Sequence, residues 1–210
     1  LARLKAEGKV ADYLVFPYDW RKSPIDVAEG ANDYEDGARY LSEELEKLSG
    51  TSLSGKVTIA GHSNGGLVAK ALMKKLERLG KASLVDKVIL VDSPQLGAPN
   101  ALAPILHGDY GALTSHGGLL ISQENMRNLA HNMPDAYALL PGDLYLYGVT
   151  DPVIDLTDAP KLALESGVSS TTIGSNEDYI KFITGTGGRA VPASDDVETP
   201  NTLSSFLSLQ

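Results

Sequence analysis

Apolar runs and amphipathic stretches alternate through the first part of the chain. Tyr13-Leu14-Val15-Phe16 is continuously apolar and closed by Pro17, as a buried parallel strand would be. A loop at 18–30 follows. Tyr34, Ala38, Leu41, Leu45 and Leu48 then recur at steps of four and three, which predicts a helix with one apolar face. Asn32 or Asp33 would cap its start, Glu35 and Asp36 suit its positive end, and Gly50 would stop it. Lys56 to Ala60 predicts a second strand, and Gly61 to Gly66 a tight turn. Val68, Leu72, Leu76 and Leu79 form one stripe of a helix over about 67–79, with Gly80 beyond it. Lys87 to Val91 predicts a third strand ending at Asp92. Strands alternating with helices predict the α/β class, with parallel strands and right-handed crossovers that lay helices on the sheet.

Past Pro94 the periodicity weakens and Gly, Pro, Ser and Thr become frequent. Gln123–His131, Asp158–Glu165 and Glu177–Thr184 read as helices, and Tyr145-Leu146-Tyr147 as a short strand. Gly185–Pro200 reads as an exposed loop and Leu203–Leu209 as the start of another helix. The expected organisation is a partial α/β core over 1–93 and a region laid over it, a cap, over 94–210.

Composition narrows the function classes. With 42% hydrophobic and 21% charged residues, the 210-residue chain has a globular profile rather than a disordered one. A formal charge of −9 disfavours a nucleic-acid partner. The absence of cysteine removes disulfides, thiolate nucleophiles and zinc–thiolate sites. No apolar run is long enough to span a membrane as a helix. Compartment is not readable from these features.

The pattern that carries chemistry is Gly61-His62-Ser63-Asn64-Gly65, which matches G-x-S-x-G. Its context strengthens it, because a strand precedes it and an amphipathic helix follows. Such a turn forces the serine into strained angles and brings backbone so close that side chains at 61 and 65 would collide. It lifts the Ser63 hydroxyl to the carboxyl edge of the sheet. The backbone N–H of Asn64, at the helix start, is placed to stabilise an oxyanion. His62 is adjacent, but neighbouring residues on such a turn point apart, so its expected role is packing or hydrogen bonding.

The chain resembles the lecithin:cholesterol acyltransferase-like family of the α/β-hydrolase (lipase-like) superfamily. The match rests on Phe16-Pro17-Tyr18-Asp19-Trp20-Arg21, on Gly61 to Gly66, on Asp92-Ser93-Pro94-Gln95-Leu96-Gly97-Ala98-Pro99, and on Met133-Pro134-Asp135-Ala136-Tyr137-Ala138-Leu139-Leu140-Pro141. The resemblance implies a serine acyl-ester hydrolase or O-acyltransferase on lipid-like esters. Ser63 would be the nucleophile, Asn64 N–H an oxyanion donor, and Gly61, His62 and Gly65 the frame of the elbow. No cofactor or metal is implied. The partner would be a lipid or other acyl ester, with peripheral membrane contact through the cap and an open oligomeric state. Tyr18 to Arg21 would lie near the substrate entrance, or serve structure through an Asp19–Arg21 pair and a packed Trp20.

The departures from the family pattern are specific. Only 16 residues precede Pro17, so the glycine-rich oxyanion loop has no counterpart. The family's acid and histidine come late, whereas the histidines here are His62, His107, His116 and His131, and Arg189 to Pro192 carries no acid. The expectation is therefore a middle piece of a longer hydrolase, with triad Asp and His outside these residues and little activity alone. One local alternative joins Ser63, Asp92 and His107 or His116; otherwise Asp92 is expected to hydrogen-bond the turn at 93–97. A second class of function is a non-catalytic module that holds a lipid or a protein on a hydrolase scaffold. Gly185 to Gly188 lacks the context of a phosphate loop, and Asp151, Asp155 and Asp158 lack calcium-loop spacing. Ala101, Leu102, Ile105, Leu106, Leu119, Leu120 and Ile121 would line an acyl channel or form the cap's own core.

Overall fold

The structure, a computed structural model, describes residues 1–34, 37–110, 121–149, 151–158, 160–165 and 167–184. They fall into two compact units, Leu1–Gln95 and Leu96–Gln210.

The first unit is built on two parallel strands, β3 (Val57–His62) and β4 (Val85–Val91), with Ile59 opposite Val88 and His62 opposite Val91. Helix α4 (Asn64–Arg78) connects them, so strand, helix and parallel strand form an α/β unit. Its stripe is as the spacing predicts: Val68, Leu72 and Leu76 are buried, together with Leu67 and Ala71. Burying each such leucine or valine stabilises by roughly 1.5–3 kcal/mol. Leu79 departs from the stripe; it is the helix's C-cap and half exposed, because Gly80 at φ 69° turns the chain away.

Helix α1 (Ala2–Ala6) precedes an extended stretch, and α2 (Pro24–Glu29) is set by its first residues. Ser23 Oγ accepts from the Asp26 N–H at 3.1 Å, and Pro24 occupies the first helical position, where no N–H is needed. Strands β1 (Ala31–Tyr34) and β2 (Gly37–Tyr40) pair antiparallel, and α3 (Leu41–Thr51) follows.

This corrects the single helix expected from Tyr34 to Leu48. Tyrosine favours a strand, and Gly37 weakens a helix interior. Asn32, expected as a cap, is buried and donates to the Val27 carbonyl at 3.3 Å. The helix begins only at Leu41 and runs past Gly50. The strand expected at Tyr13–Phe16 is also corrected. The segment belongs to no strand, and Val15 is 66% exposed. An apolar run becomes a strand only when another backbone pairs with it.

The second unit has its own core, with Leu102, Ile105, Leu140, Leu156, Ile173, Tyr179 and Phe182 all buried. Leu102 and Ile105 thus pack inside this unit; Leu119 and Leu120 lie outside the described residues. Helices α5 (Leu102–His107), α6 (Gln123–His131), α7 (Pro134–Ala138), α8 (Asp143–Gly148), α9 (Pro160–Glu165) and α10 (Asn176–Thr184) surround that core. A short antiparallel pair, β5 (Ile154–Asp155) and β6 (Thr172–Ile173), completes the described elements. Tyr145–Tyr147 is helical rather than the strand expected. Gly142 sits at the N-cap and Asp143 suits the positive first turn, so local end signals prevail over aromatic content. The loop expected at 185–200 and the helix at 203–209 lie outside the described residues.

Candidate functional site

Between the last residue of β3 and the first of α4 stands Ser63 alone. Its backbone has φ 51° and ψ −127°, a conformation that costs an L-residue of order 1–3 kcal/mol. Two bonds hold it there: Ser63 N–H donates to the Val91 carbonyl at 2.9 Å, and Gly66 N–H donates to the Ser63 carbonyl at 3.0 Å. Serine at a helix N-cap ordinarily turns its oxygen onto the first amides. Ser63 does not; its side chain makes no capping bond and the residue is exposed. The hydroxyl is therefore not spent on the helix it precedes.

The glycines explain how the turn closes. A Cβ on Gly61 would stand 2.5 Å from the Gly65 carbonyl oxygen and 2.7 Å from the Gly66 nitrogen. A Cβ on Gly66 would press on Ser93 Oγ and come 3.3 Å from Leu90 Cδ2. The collision expected at Gly65 is not found: the nearest atom to such a Cβ is the Tyr18 hydroxyl at 3.9 Å, an ordinary contact, because the crowding falls on Gly61 and Gly66 instead. Tyr18 is thereby brought to the first turn of α4, while Trp20 is exposed. Asp19 and Arg21 form a two-pronged ion pair at 2.8 and 2.9 Å. The guanidinium's hydrogen bonds hold the Asp19 carboxyl down at about 2.

The carboxyl ends of the two parallel strands share a feature. Ser63 and Asp92 are the non-glycine residues with positive φ among those described. Aspartate tolerates this conformation better than most residues, and no sequence pattern marked it. The hydrogen bond expected from Asp92 to the turn at 93–97 is not formed; that turn is held by Gln95 N–H donating to the Ser93 carbonyl at 2.8 Å.

The histidines are dispersed. His62 is exposed at the end of β3. His116 and the side chain of His107 lie outside what the structure describes. His131, in the second unit, is buried, with Nε2 2.7 Å from the Ile105 carbonyl. Burial lowers its pKa, and the neighbouring Arg127 adds to this against the opposing pull of the Ile105 carbonyl. Unfolding releases the ring to bind a proton, so its contribution to stability is complete above the unfolded value. That contribution fades as pH falls from about 6.5 toward the lowered folded value. Chemical denaturation at pH 7 and pH 5 is expected to show a loss in the parent that His131→Gln reduces. An equal loss in the variant would place the acid sensitivity elsewhere.

Among the described residues no three acidic or histidine side chains gather to hold a metal ion, and no helix is long and apolar enough to cross a membrane. A parallel strand pair, a crossing helix and a strained serine between strand and helix make the elbow arrangement of α/β-hydrolase-like proteins. The family model for lecithin:cholesterol acyltransferase matches residues 2–185, and the chain belongs to that family. No curated protein and no solved structure matches it. Membership carries a general assignment to acyltransferase- or lipase-type enzymes with lipid acyl substrates.

Proposed function

We propose that the protein is a serine acyl-ester hydrolase or O-acyltransferase on lipid-like esters, with Ser63 as nucleophile. The observation that carries this reading is the strained, exposed serine whose hydroxyl caps nothing. A purely structural N-cap would keep ordinary angles and bond its own helix. In the proposed reaction Ser63 Oγ adds to the ester carbonyl and its proton passes to a base. The alkoxide leaves with a proton; water or an alcohol then attacks the acyl-enzyme and takes the acyl group, and Ser63 Oγ leaves and regains a proton. The Asn64 N–H, at the positive end of α4, would receive the oxyanion; one such donor is worth about 3–4 kcal/mol of barrier.

Ser63 needs a base to react at neutral pH. His131 is engaged with the Ile105 carbonyl inside the second unit, and His62 adjoins the nucleophile on a strand whose neighbours point apart. We infer that the acid and base of the triad are not assembled from these histidines. A base supplied from elsewhere, His107 and His116 included, would be worth about 10²–10⁴ in rate, the usual worth of a positioned base. The test is labelling by a fluorophosphonate probe of the protein expressed from its complete gene. Labelling is expected and should vanish in Ser63→Ala. An intact, folded protein that takes no label would favour the non-catalytic binding module instead.

A further inference from the structure

We propose that Asp92 sets the charge preference of the Ser63 site, disfavouring esters with an anion near the scissile carbonyl and favouring neutral or cationic ones. With Ser63 as nucleophile, the reading on which this rests, Asp92 decides which esters are taken.

The backbone puts the two residues side by side. His62 pairs with Val91 in the parallel register, and Ser63 N–H donates to the Val91 carbonyl at 2.9 Å. The peptide that leads from Val91 into Asp92 is therefore bonded to the nucleophile's own amide. Bond lengths and strand spacing put the α-carbons of Ser63 and Asp92 about 5–6 Å apart. Both residues are exposed, and Asp92 has φ 48° beside 51° at Ser63. Glycine takes such an angle without strain and is the simplest occupant. A side chain kept there at a cost is the pattern of a functional position rather than of a plain turn.

What that side chain brings is an uncompensated charge. Among the described residues the Asp92 carboxylate has no hydrogen bond and no ion pair. Asp19, by contrast, is neutralised by Arg21. The first turn of α4, Asn64 to Leu67, holds no charged side chain. Lys87 lies five residues back along β4. At about 3.3 Å per residue that is roughly 16 Å, twice the screening length of about 8 Å at physiological salt. The ester carbonyl must come within bonding reach of Ser63 Oγ. A charge on the ester then stands on the order of 7–10 Å from the Asp92 carboxylate, where two unit charges at a protein surface change a rate by about tenfold. An anion is repelled, a cation is attracted and a neutral ester feels neither. An acid that served the triad would bond the base, and among the described residues no histidine bonds Asp92.

The test uses hexanoate esters of similar shape and the protein expressed from its complete gene. Their alcohols are methyl para-hydroxybenzoate, para-hydroxybenzoate and para-trimethylammoniophenol, which are neutral, anionic and cationic. In Asp92→Asn, kcat/KM for the anion relative to the neutral ester should rise about tenfold, about 1.4 kcal/mol. The same ratio for the cation should fall several-fold. Opposite signs mark charge, since a damaged fold lowers all the rates alike. Asparagine tolerates a positive φ as aspartate does. Asp92→Gly, which removes charge and strain together, should give the same two ratios. In the parent, raising sodium chloride from about 20 mM to about 500 mM should move both ratios toward those of the variants, because salt screens the carboxylate. That arm needs no variant. The proposal fails if parent and Asp92→Asn give the same ratios, or if the parent's ratios ignore salt. It also fails if a folded Asp92→Asn loses about 10⁴ on every ester, which would put Asp92 in the proton transfer itself. A folded parent that neither takes the fluorophosphonate label nor cleaves the neutral ester overturns Ser63 as nucleophile and this proposal together. Labelling and turnover without charge preference overturn this proposal alone.

Discussion

Gly61→Ala is expected to destabilise the first unit by about 3 kcal/mol and to remove fluorophosphonate labelling of the complete protein. One added methyl has this effect because of what surrounds it. The nearest neighbours of the new Cβ are the Gly65 carbonyl carbon and oxygen and the Gly66 nitrogen, all within 2.7 Å and all backbone. A side chain could rotate aside, but a helix's first turn moves only by moving the helix. Overpacking of this kind ordinarily costs 1–3 kcal/mol, and the rigid partners place Gly61 at about the upper end. Whatever movement relieves the clash also alters the junction that holds Ser63 at φ 51°.

Two comparisons separate crowding from a general effect of glycine. At Gly66 the nearest atoms belong to the Ser93 side chain, so Gly66→Ala should cost less and be partly rescued by Ser93→Gly. Gly50 lies within α3 with nothing within 4 Å, so Gly50→Ala should be neutral or stabilising by up to about 1 kcal/mol. Urea denaturation of the four variants gives the order. A Gly61→Ala protein as stable as its parent, and still labelled, would sink the account of the elbow.

That elbow was readable in the sequence because all its determinants are local. An apolar strand, glycines at fixed offsets and an apolar stripe repeating from Val68 to Leu76 lie within about twenty residues, and each acts on its chain neighbours. Where a distant partner decides, the same reasoning misled. Leu14 to Phe16 has the composition of a buried strand, but composition cannot supply the second backbone a ladder requires. Tyr34 and Ala38 fit the helical stripe of Leu41 and Leu45, so periodicity joined them to α3. The antiparallel pairing of Ala31–Tyr34 with Gly37–Tyr40 outweighed it. Asp92 shows the limit from the other side: its positive φ is a backbone property that the sequence reading of this segment did not announce.

Lys75 is the second position where a large effect is expected, and nothing in its surroundings along the chain announces it. It sits on the inner face of α4, only 9% exposed, between Leu72 and Leu76. Its Nζ donates to the carbonyls of Ala28 at 2.8 Å and Glu29 at 3.3 Å. These are the last carbonyls of α2, which have no helical partner of their own. The cation also faces the negative end of that helix dipole. One buried charge thus satisfies the helix end and ties α2 to α4.

Lys75→Met keeps the apolar stem and removes the donor. The stranded carbonyls are expected to cost about 2 kcal/mol, since a buried acceptor left without a partner costs roughly 1–3 kcal/mol. Lys75→Ala should cost more, because it leaves a cavity as well. Arg78, one turn on, also pairs with Glu29, through the Glu29 carboxylate, but its side chain is 65% exposed. Exposed pairs contribute about 0–1 kcal/mol, so Arg78→Met should lie well below Lys75→Met. Raising the salt concentration should shrink the Arg78 effect and leave the Lys75 effect nearly unchanged, because screening acts on charges that water reaches. Urea midpoints at low and high salt measure both. If Lys75→Met costs no more than Arg78→Met, the tie between the helices lies in their apolar packing and not in the buried cation.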